Sequence, residues 1–194
     1  MEKIRSFIAI ELPEDLKTEL GRLQAKLKVD KPRIKWVSPD SIHLTLKFLG
    51  DVDPASIDKI TQAMTEAVKG IPPFDLHVHQ LGVFPNPQRV QIVWIGLDGE
   101  PDILNKLFYS LEEKMDKLGF PPEKRGFTPH LTLARLGDEV FPDERRRFGE
   151  FIAKSTADIN YNIKATALSL MKSQLTGKGA IYTRLSHVEF GNNN

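Results

Sequence analysis

Hydrophobic and polar residues along this chain repeat with two periods, one typical of strands and the other of helices. Residues 74–84 alternate between the two classes as far as Pro85, and residues 90–97 form an unbroken β-branched and aromatic run. The first pattern is typical of a half-buried strand and the second of a strand in the middle of a sheet. The pattern predicts strands over residues 4–12, 34–37, 42–49, 74–84, 90–97, 158–171 and 180–190.

Between these strands, apolar residues recur at helical spacing. Leu16, Leu20, Leu23 and Leu27 mark the first helix, which Pro13 opens. Further helices are predicted over residues 53–69, 102–118 and 142–153. The second half of the chain repeats the succession of strands and helices predicted for the first half, which predicts an α+β fold. We expect two pseudosymmetric lobes, each a small antiparallel sheet with helices packed on the outside, around a central cleft, all within a single domain over residues 1–194.

One short phrase occurs twice in the sequence. Residues 43–50 return as residues 130–137, and the two copies agree at six of eight positions. Chance is a poor explanation, because the whole chain holds five histidines. Side chains two residues apart in a strand point to the same face. Each copy, predicted to be a strand, therefore presents a histidine and a threonine together: His43 with Thr45, and His130 with Thr132.

Composition and charge narrow the possible functions. Apolar residues make up 40% and charged residues 27% of the chain, as in a globular protein. The formal net charge of +1 creates no basic field for a long nucleic-acid duplex, so any affinity for nucleic acid must be local. The absence of cysteine excludes thiol catalysis and thiolate zinc sites. No apolar run approaches the ~20 residues that cross a bilayer, and we expect a cytoplasmic protein.

The repeated histidines are candidates for a general acid and a general base. An unperturbed imidazole titrates near pH ~6.5, so one ring can accept a proton at neutral pH while another donates one. The alternative is a structural role, which is the more common one for a single histidine among leucines. The threonine at the same offset in both copies favours catalysis by His43 and His130. The hydroxyls of Thr45 and Thr132 can donate to phosphoryl oxygens, although threonine is also a favoured strand residue.

Strand parity predicts where the remaining residues of the two phrases point. Lys47 is predicted to share the face of His43 and to be available to a phosphate, whereas Phe48 is predicted to lie on the opposite face. Arg135 lies five positions after His130 and is predicted to point away from it unless a bulge or the strand end turns it.

A metal site is the main alternative use of histidine in this chain. His77 and His79 lie two positions apart on one predicted strand, and with the repeated histidines they supply four ring nitrogens. Neither phrase includes a carboxylate of the kind that metal hydrolases recruit. A solvated strand face is the favoured interpretation of His77 and His79, and we expect no metal and no cofactor.

The two phrases and several other segments resemble one known family. The first phrase continues as Lys47-Phe48-Leu49-Gly50, and Thr128-Pro129 introduces the second. Matching segments also occur at residues 5–10, 82–85 and 170–173, at Gly179 and at Tyr182. In this order they resemble the two-histidine (2H) phosphoesterases, and most closely the RNA 2′,3′-cyclic phosphodiesterases, historically called 2′-5′ RNA ligases. The resemblance spans nearly the whole chain.

The resemblance implies a bilobal α+β fold and the metal-independent hydrolysis of RNA 2′,3′-cyclic phosphate ends to 2′-phosphates. It also implies that His130 accepts a proton from water and that His43 donates one to the departing 3′ oxygen. Thr45 and Thr132 would hold the phosphate oxygens. The sequence by itself does not say which histidine is the acid, because the phrases are near copies.

The resemblance leaves several assignments open. Arg135 and Tyr182 are further candidates for binding the substrate, and Tyr182 and Phe48 can pack the cleft or stack a base. We expect a monomer that acts on RNA 3′ ends, including tRNA fragments, and that does not bind membranes. One alternative is ligation, in which a 5′-hydroxyl replaces water and a 2′-5′ linkage forms. Another is a non-catalytic protein that binds RNA ends through the basic residues at 31–35 and 124–125.

Overall fold

A computed structural model describes residues 2–28, 34–124, 126–177 and 179–191 of the chain. The strands are β1 (Ile4–Glu11), β2 (Ile34–Trp36), β3 (His43–Val52), β4 (Phe74–Phe84), β5 (Ile92–Gly99), β6 (His130–Leu136), β7 (Asn162–Ala165), β8 (Ala167–Thr176) and β9 (Gly179–Glu189). The helices are α1 (Glu14–Leu27), α2 (Ile57–Ala67), α3 (Pro101–Asp116) and α4 (Pro142–Lys154). Apart from one predicted strand that proves to be two, these elements follow the order predicted from the sequence.

Within the described residues, the nine strands form one antiparallel sheet. Their order is β7-β4-β5-β6-β3-β1-β8-β9, and β2 pairs with β6. The strands that begin with the repeated phrase, β3 and β6, meet in the middle of the sheet, where Leu44 pairs with Leu131. We call β3, β1, β8 and β9 the first half-sheet, and β6, β5, β4, β7 and β2 the second half-sheet. The predicted α+β fold with two lobes is confirmed, and the two small sheets are joined edge to edge at this junction.

The helices cover one face of the sheet. On the first half-sheet, α2 contacts β9 and α3 contacts β3, while α4 contacts β4 on the second. The side chain of Gln24 in α1 donates hydrogen bonds to the carbonyls of Val37 and Leu133, which hold α1 against the second half-sheet. Among the described helices, none is both long and apolar enough to cross a membrane.

The leucines of the two phrases form the centre of the core beneath the helices. Leu44, Leu46, Leu131 and Leu133 are 1%, 3%, 0% and 0% exposed. Because side chains alternate between the faces of a strand, burial of these leucines places the histidines and threonines of the phrases on the other face. We call this second face, which none of the described helices covers, the histidine face.

Residues 158–171, predicted as a single strand, form parts of two strands instead. Thr166 separates β7 from β8. The first of these strands pairs with β4 in the second half-sheet, and the next pairs with β1 in the first. The chain must leave one ladder of hydrogen bonds to enter the other, so the strand is broken where it changes partners. Local hydrophobicity does not encode that change.

Bulges interrupt β3 and β6 at the same place in the two phrases. The pairing of β3 with β1 skips Leu46, and the pairing of β6 with β5 skips Leu133. Each skipped leucine directly follows the threonine of its phrase. An extra residue shifts the alternation of faces by one position, so residues beyond the bulge point opposite to the direction that simple parity predicts.

Candidate active site

His43 and His130 begin β3 and β6 and lie on the histidine face, one on each side of the junction. The antiparallel register at the junction puts Thr45 beside His130 and Thr132 beside His43. The two histidines are diagonal neighbours across this pair of strands, a relation that corresponds to about 7–8 Å between residues. The four side chains that the sequence predicted to act together therefore share one surface, and each ring has a hydroxyl of the other phrase at its side.

Both imidazole rings are held in the same way. The Nδ1–H of His43 donates to the carbonyl of Ser41 at 2.8 Å, and the Nδ1–H of His130 donates to the carbonyl of Thr128 at 2.6 Å. A carbonyl oxygen can only accept, so Nδ1 carries the proton in each ring. This leaves Nε2 as the atom that can accept or release a proton toward a substrate. The bond from Nδ1 suits a base and an acid equally well.

Burial changes the acidity of both rings. Desolvation lowers the pKa of His43 from 6.5 to about 4, with a smaller lowering from the charge of Arg135. The hydrogen bond to Ser41 and the charge of Glu11 act in the opposite direction. Desolvation and Arg135 also lower the pKa of His130. The histidine face therefore favours neutral rings in the protein alone.

Arg135 points to the histidine face, because the bulge at Leu133 shifts the alternation along β6. Its guanidinium influences the pKa of His43, His130 and Tyr182. The simple parity that turned Arg135 away from His130 is therefore wrong, and the bulge that the sequence analysis allowed for is present. A positive charge that acts on both imidazoles is well placed to attract an anion to this face.

Lys47 does not lie on the histidine face, contrary to the parity prediction. The bulge at Leu46 turns its side chain into the core, where it is 1% exposed and its Nζ lies 2.8 Å from Oε1 of Glu112 in α3. The same ammonium donates to the carbonyl of Pro121 at 2.6 Å. Lys47 is therefore a structural cation that joins β3 to α3, and it cannot reach a phosphate beside His43.

Phe48 lies on the histidine face, so its predicted orientation is also wrong. It is 60% exposed, and its ring centroid is 6.3 Å from that of Phe7. Phe7 in turn stacks on the ring of His43 with centroids 4.5 Å apart. The ring of Tyr182 meets His43 edge-on at 5.1 Å. Phe7 and Tyr182 therefore fix the orientation of the His43 ring, while Phe48 presents an open aromatic surface next to them.

A second aromatic group supports His130. The ring of Phe84 meets His130 edge-on at 5.1 Å, and Trp94 lies 6.1 Å from His130. The indole of Trp94 rests on Gly82, where an added Cβ would lie 2.2 Å from ring carbon Cζ2. Only a residue without a side chain fits there. The sequence pattern does not predict these aromatic residues at the site, because only strand pairing brings β4 and β5 beside the second phrase.

A polar cluster next to His43 was also missed. Glu11 is the register partner of His43, and its carboxylate accepts hydrogen bonds from Nε and Nη2 of Arg184 at 2.7 and 2.9 Å. The hydroxyl of Ser169 donates to the same carboxylate, and Nδ1 of His187 lies 3.3 Å from that hydroxyl. Strand parity along β1 could have placed Glu11 on this face. Its partners come from β8 and β9, whose pairing the sequence does not reveal.

The other candidates lie apart from this site. His77 and His79 are exposed on β4, and Nδ1 of His79 is 3.3 Å from a carboxylate oxygen of Asp98. In the part of the chain that the structure describes, no group of three or more His, Asp or Glu side chains is arranged to hold a metal ion. Of the basic residues that precede the phrases, Lys35 and Lys124 are exposed. Residues 31–33 and Arg125 lie outside the described residues.

Comparisons with known proteins agree on one family. The family model described as LigT-like phosphoesterase matches twice, over residues 10–94 and 95–182. An RNA 2′,3′-cyclic phosphodiesterase of Methanothermobacter thermautotrophicus is 35% identical over 181 residues, which cover 93% of this chain and 96% of that protein. The protein of the same name from Methanocaldococcus jannaschii is 33% identical over 180 residues, covering 92% and 96%.

Among solved structures, E. coli LigT complexed with 3′-AMP superimposes with a TM-score of 0.78. It is 25% identical, and the alignment covers 98% of this chain and 99% of that chain. The structural similarity therefore extends over both half-sheets, and the double match of the family model divides the chain much as the repeated phrase does.

Proposed function

Since this chain belongs to the LigT-like phosphoesterase family, we propose that it is an RNA 2′,3′-cyclic phosphodiesterase that leaves 2′-phosphomonoesters. The observation that carries the proposal is the pairing of His43 and His130 on one uncovered face, each with a threonine of the other phrase beside it. Displacement at a cyclic phosphate needs a base on one side of phosphorus and an acid on the other. Two imidazoles with free Nε2 atoms meet that need.

The proposed reaction transfers two protons and exchanges one P–O bond. Nε2 of His130 accepts a proton from water, and the water oxygen attacks phosphorus. The bond from phosphorus to the 3′ oxygen breaks, and Nε2–H of His43 donates its proton to that oxygen. The product carries a 2′-phosphate and a free 3′-hydroxyl. Each proton transfer by a positioned side chain contributes about 10²–10⁴ in rate.

The neighbouring residues support this chemistry through charge and hydrogen bonding. The hydroxyls of Thr45 and Thr132 can donate to the nonbridging oxygens, where negative charge increases as water attacks. Arg135 supplies a fixed positive charge toward the same place. The substrate's phosphate carries the opposite charge, so its binding raises the pKa of both rings and offsets the lowering that burial and Arg135 cause. Tyr182 acts by orienting the ring of His43.

The direct test is turnover of an RNA oligonucleotide that ends in a 2′,3′-cyclic phosphate. We expect the wild-type protein to open the ring to a 2′-phosphate, identified by ³¹P NMR or by comparison with 2′- and 3′-phosphate standards. His43→Ala and His130→Ala should each lower kcat by at least about 10²-fold while circular dichroism shows a folded protein. His77→Ala, which removes an exposed histidine from β4, should leave turnover unchanged.

Other outcomes of the same experiment identify the alternatives. Retention of full activity by either histidine variant would overturn the assignment. Adding an RNA with a 5′-hydroxyl and finding joined rather than hydrolysed ends would indicate ligation. Salt-sensitive binding without any product would indicate a protein that only binds RNA ends.

Several finer expectations stay predictions. The described strands run through both half-sheets without a break between units, which supports a single bilobal domain. A monomeric state, tRNA fragments as substrates and a cytoplasmic location rest on the sequence analysis alone. Size-exclusion chromatography with light scattering would test the first of these, and turnover of cleaved tRNA would test the second.

A further inference from the structure

The two phrases are near copies, but the strands beside them are not. In the β1–β3 register, the residue opposite His43 is Glu11. In the β5–β6 register, the residue opposite His130 is Gly96. Residues directly opposite each other in an antiparallel pair share a face, with Cβ atoms about 4.5–5.5 Å apart. One histidine therefore has a carboxylate neighbour, and the other has a neighbour without a side chain.

The Glu11 carboxylate is held firmly in this position. Arg184 donates one hydrogen bond to each carboxylate oxygen, from Nε to Oε1 at 2.7 Å and from Nη2 to Oε2 at 2.9 Å. The hydroxyl of Ser169 donates a third hydrogen bond. The bond from Arg184 is the main reason why the pKa of Glu11 is lowered, so the group is ionised at neutral pH. The carboxylate of this ion pair is therefore a fixed anionic group on the His43 side of the site, and Arg184 partly offsets its charge.

We propose that Glu11 is the positioning residue that assigns the acid's role to His43. A nearby carboxylate stabilises an imidazolium more than a neutral imidazole. Glu11 acts against the lowering that burial causes at His43, so the protonated form of this ring is more stable than burial alone would allow, whereas His130 has no such carboxylate opposite it. The inference rests on the proposed function, and it explains how two nearly identical phrases can take different roles.

The other charged and titratable groups around His43 do not create this asymmetry. Arg135 on β6 influences both rings in the same direction. Tyr182 on β9 touches His43 through its ring edge, and its raised pKa keeps it neutral. Arg184 and His187, also on β9, reach the site through Glu11 and Ser169. Among the described groups, Glu11 is the one anion that acts on the pKa of His43, and no anion acts on that of His130.

Two substitutions give opposite predictions for the same measurement. Glu11→Gln removes the negative charge, so the protonated form of His43 becomes less stable. Arg184→Gln removes the cation that neutralises Glu11, so the protonated form becomes more stable. At saturating substrate, kcat is measured as a function of pH. The alkaline limb of this profile, where the acid loses its proton, should move to lower pH in Glu11→Gln and to higher pH in Arg184→Gln. We expect shifts of about 0.5–1 pH unit for a charge at this separation in a partly exposed site.

A second readout does not depend on turnover. Titration of the ring signals by NMR in the protein alone should show the pKa of His43 lower in Glu11→Gln and higher in Arg184→Gln, with that of His130 unchanged. Glu150→Gln is the matched control, because it removes the same charge from α4, where Glu150 lies 3.3 Å from Arg146. It should change neither readout.

The outcomes separate the two proposals. If the wild-type protein opens the cyclic phosphate but the two variants shift both limbs together, shift the acidic limb or shift nothing, the role of Glu11 is refuted and the proposed function stands. If wild-type protein has no such activity, the proposed function fails, while the NMR titration still tests the coupling of Glu11 to His43. A loss of folding in Glu11→Gln leaves Arg184→Gln to decide.

Discussion

Replacing Lys47 by methionine would distinguish a core residue from a phosphate ligand. Lys47 is buried, and its ammonium lies 2.8 Å from Oε1 of Glu112 and 2.6 Å from the carbonyl of Pro121. Methionine has a similar volume and no charge, so Lys47→Met leaves the Glu112 carboxylate without its cation in the core. Among the described residues, the hydrogen bond that Glu112 retains comes from the backbone N–H of Glu123, at 2.7 Å.

The cost of this change follows from the burial of both partners. The side chains of Lys47 and Glu112 are 1% and 8% exposed, so water cannot replace the lost ammonium. Removing one partner of a buried pair costs about 3–5 kcal/mol. For a protein of this size the cost corresponds to a drop in Tm of roughly 6–20 °C. The double variant Lys47→Met/Glu112→Leu removes both charges and should recover much of the loss.

Urea unfolding followed by circular dichroism would measure the free energy of unfolding of the wild-type, single and double variants. The reasoning predicts a large loss in Lys47→Met with little change in kcat/KM at temperatures where the variant is folded. The structural role of Lys47 would be refuted if Lys47→Met had a free energy of unfolding within about 1 kcal/mol of the wild type but turned over the substrate much more slowly. That result would indicate that the Lys47 side chain lies on the histidine face, beside the substrate.

Three further perturbations test the site itself. Arg135→Ala should lower kcat/KM for a cyclic phosphate by about tenfold or more, since the proposed attraction between its guanidinium and the phosphate would be lost, and steady-state kinetics would measure it. Gly82→Ala should push Trp94 toward His130, with a loss of about 1–3 kcal/mol in unfolding free energy and a lower kcat. Because burial lowers the pKa of His43 from 6.5 to about 4, the unfolded chain binds a proton in that range that the folded protein does not. The free energy of unfolding should therefore fall as the pH falls from 6.5 to about 4, and less steeply in His43→Asn.

The repeated phrase was enough to predict the four residues that the structure brings together on one face as the candidate site. A strand presents alternate side chains to one face, so His43 and Thr45 had to lie together, as had His130 and Thr132. Symmetry and resemblance predicted two lobes around a shared cleft, and the structure adds that the two strands pair with each other at the junction of β3 and β6.

The same parity failed beyond the leucine that follows each threonine. The bulges exchange the directions of Lys47 and Phe48 and bring Arg135 to the site. A bulge depends on how a strand is paired with its neighbour, and the leucines that are skipped look like ordinary core residues. The pattern along one strand carries no information about its neighbours. For the same reason the sequence did not predict Glu11 and Trp94 at the site, because they reach the histidines from neighbouring strands.

The helices cross between the two half-sheets, so we expect that the chain cannot be divided into two independent halves. The helix α1 follows β1 of the first half-sheet but is hydrogen-bonded to the second, and α3 follows β5 of the second but contacts β3 of the first. The boundary between the two family matches, at residues 94 and 95, lies inside β5. A fragment ending there would contain strands of both half-sheets and complete neither, so we expect that neither fragment would fold alone or bring His43 and His130 onto one face.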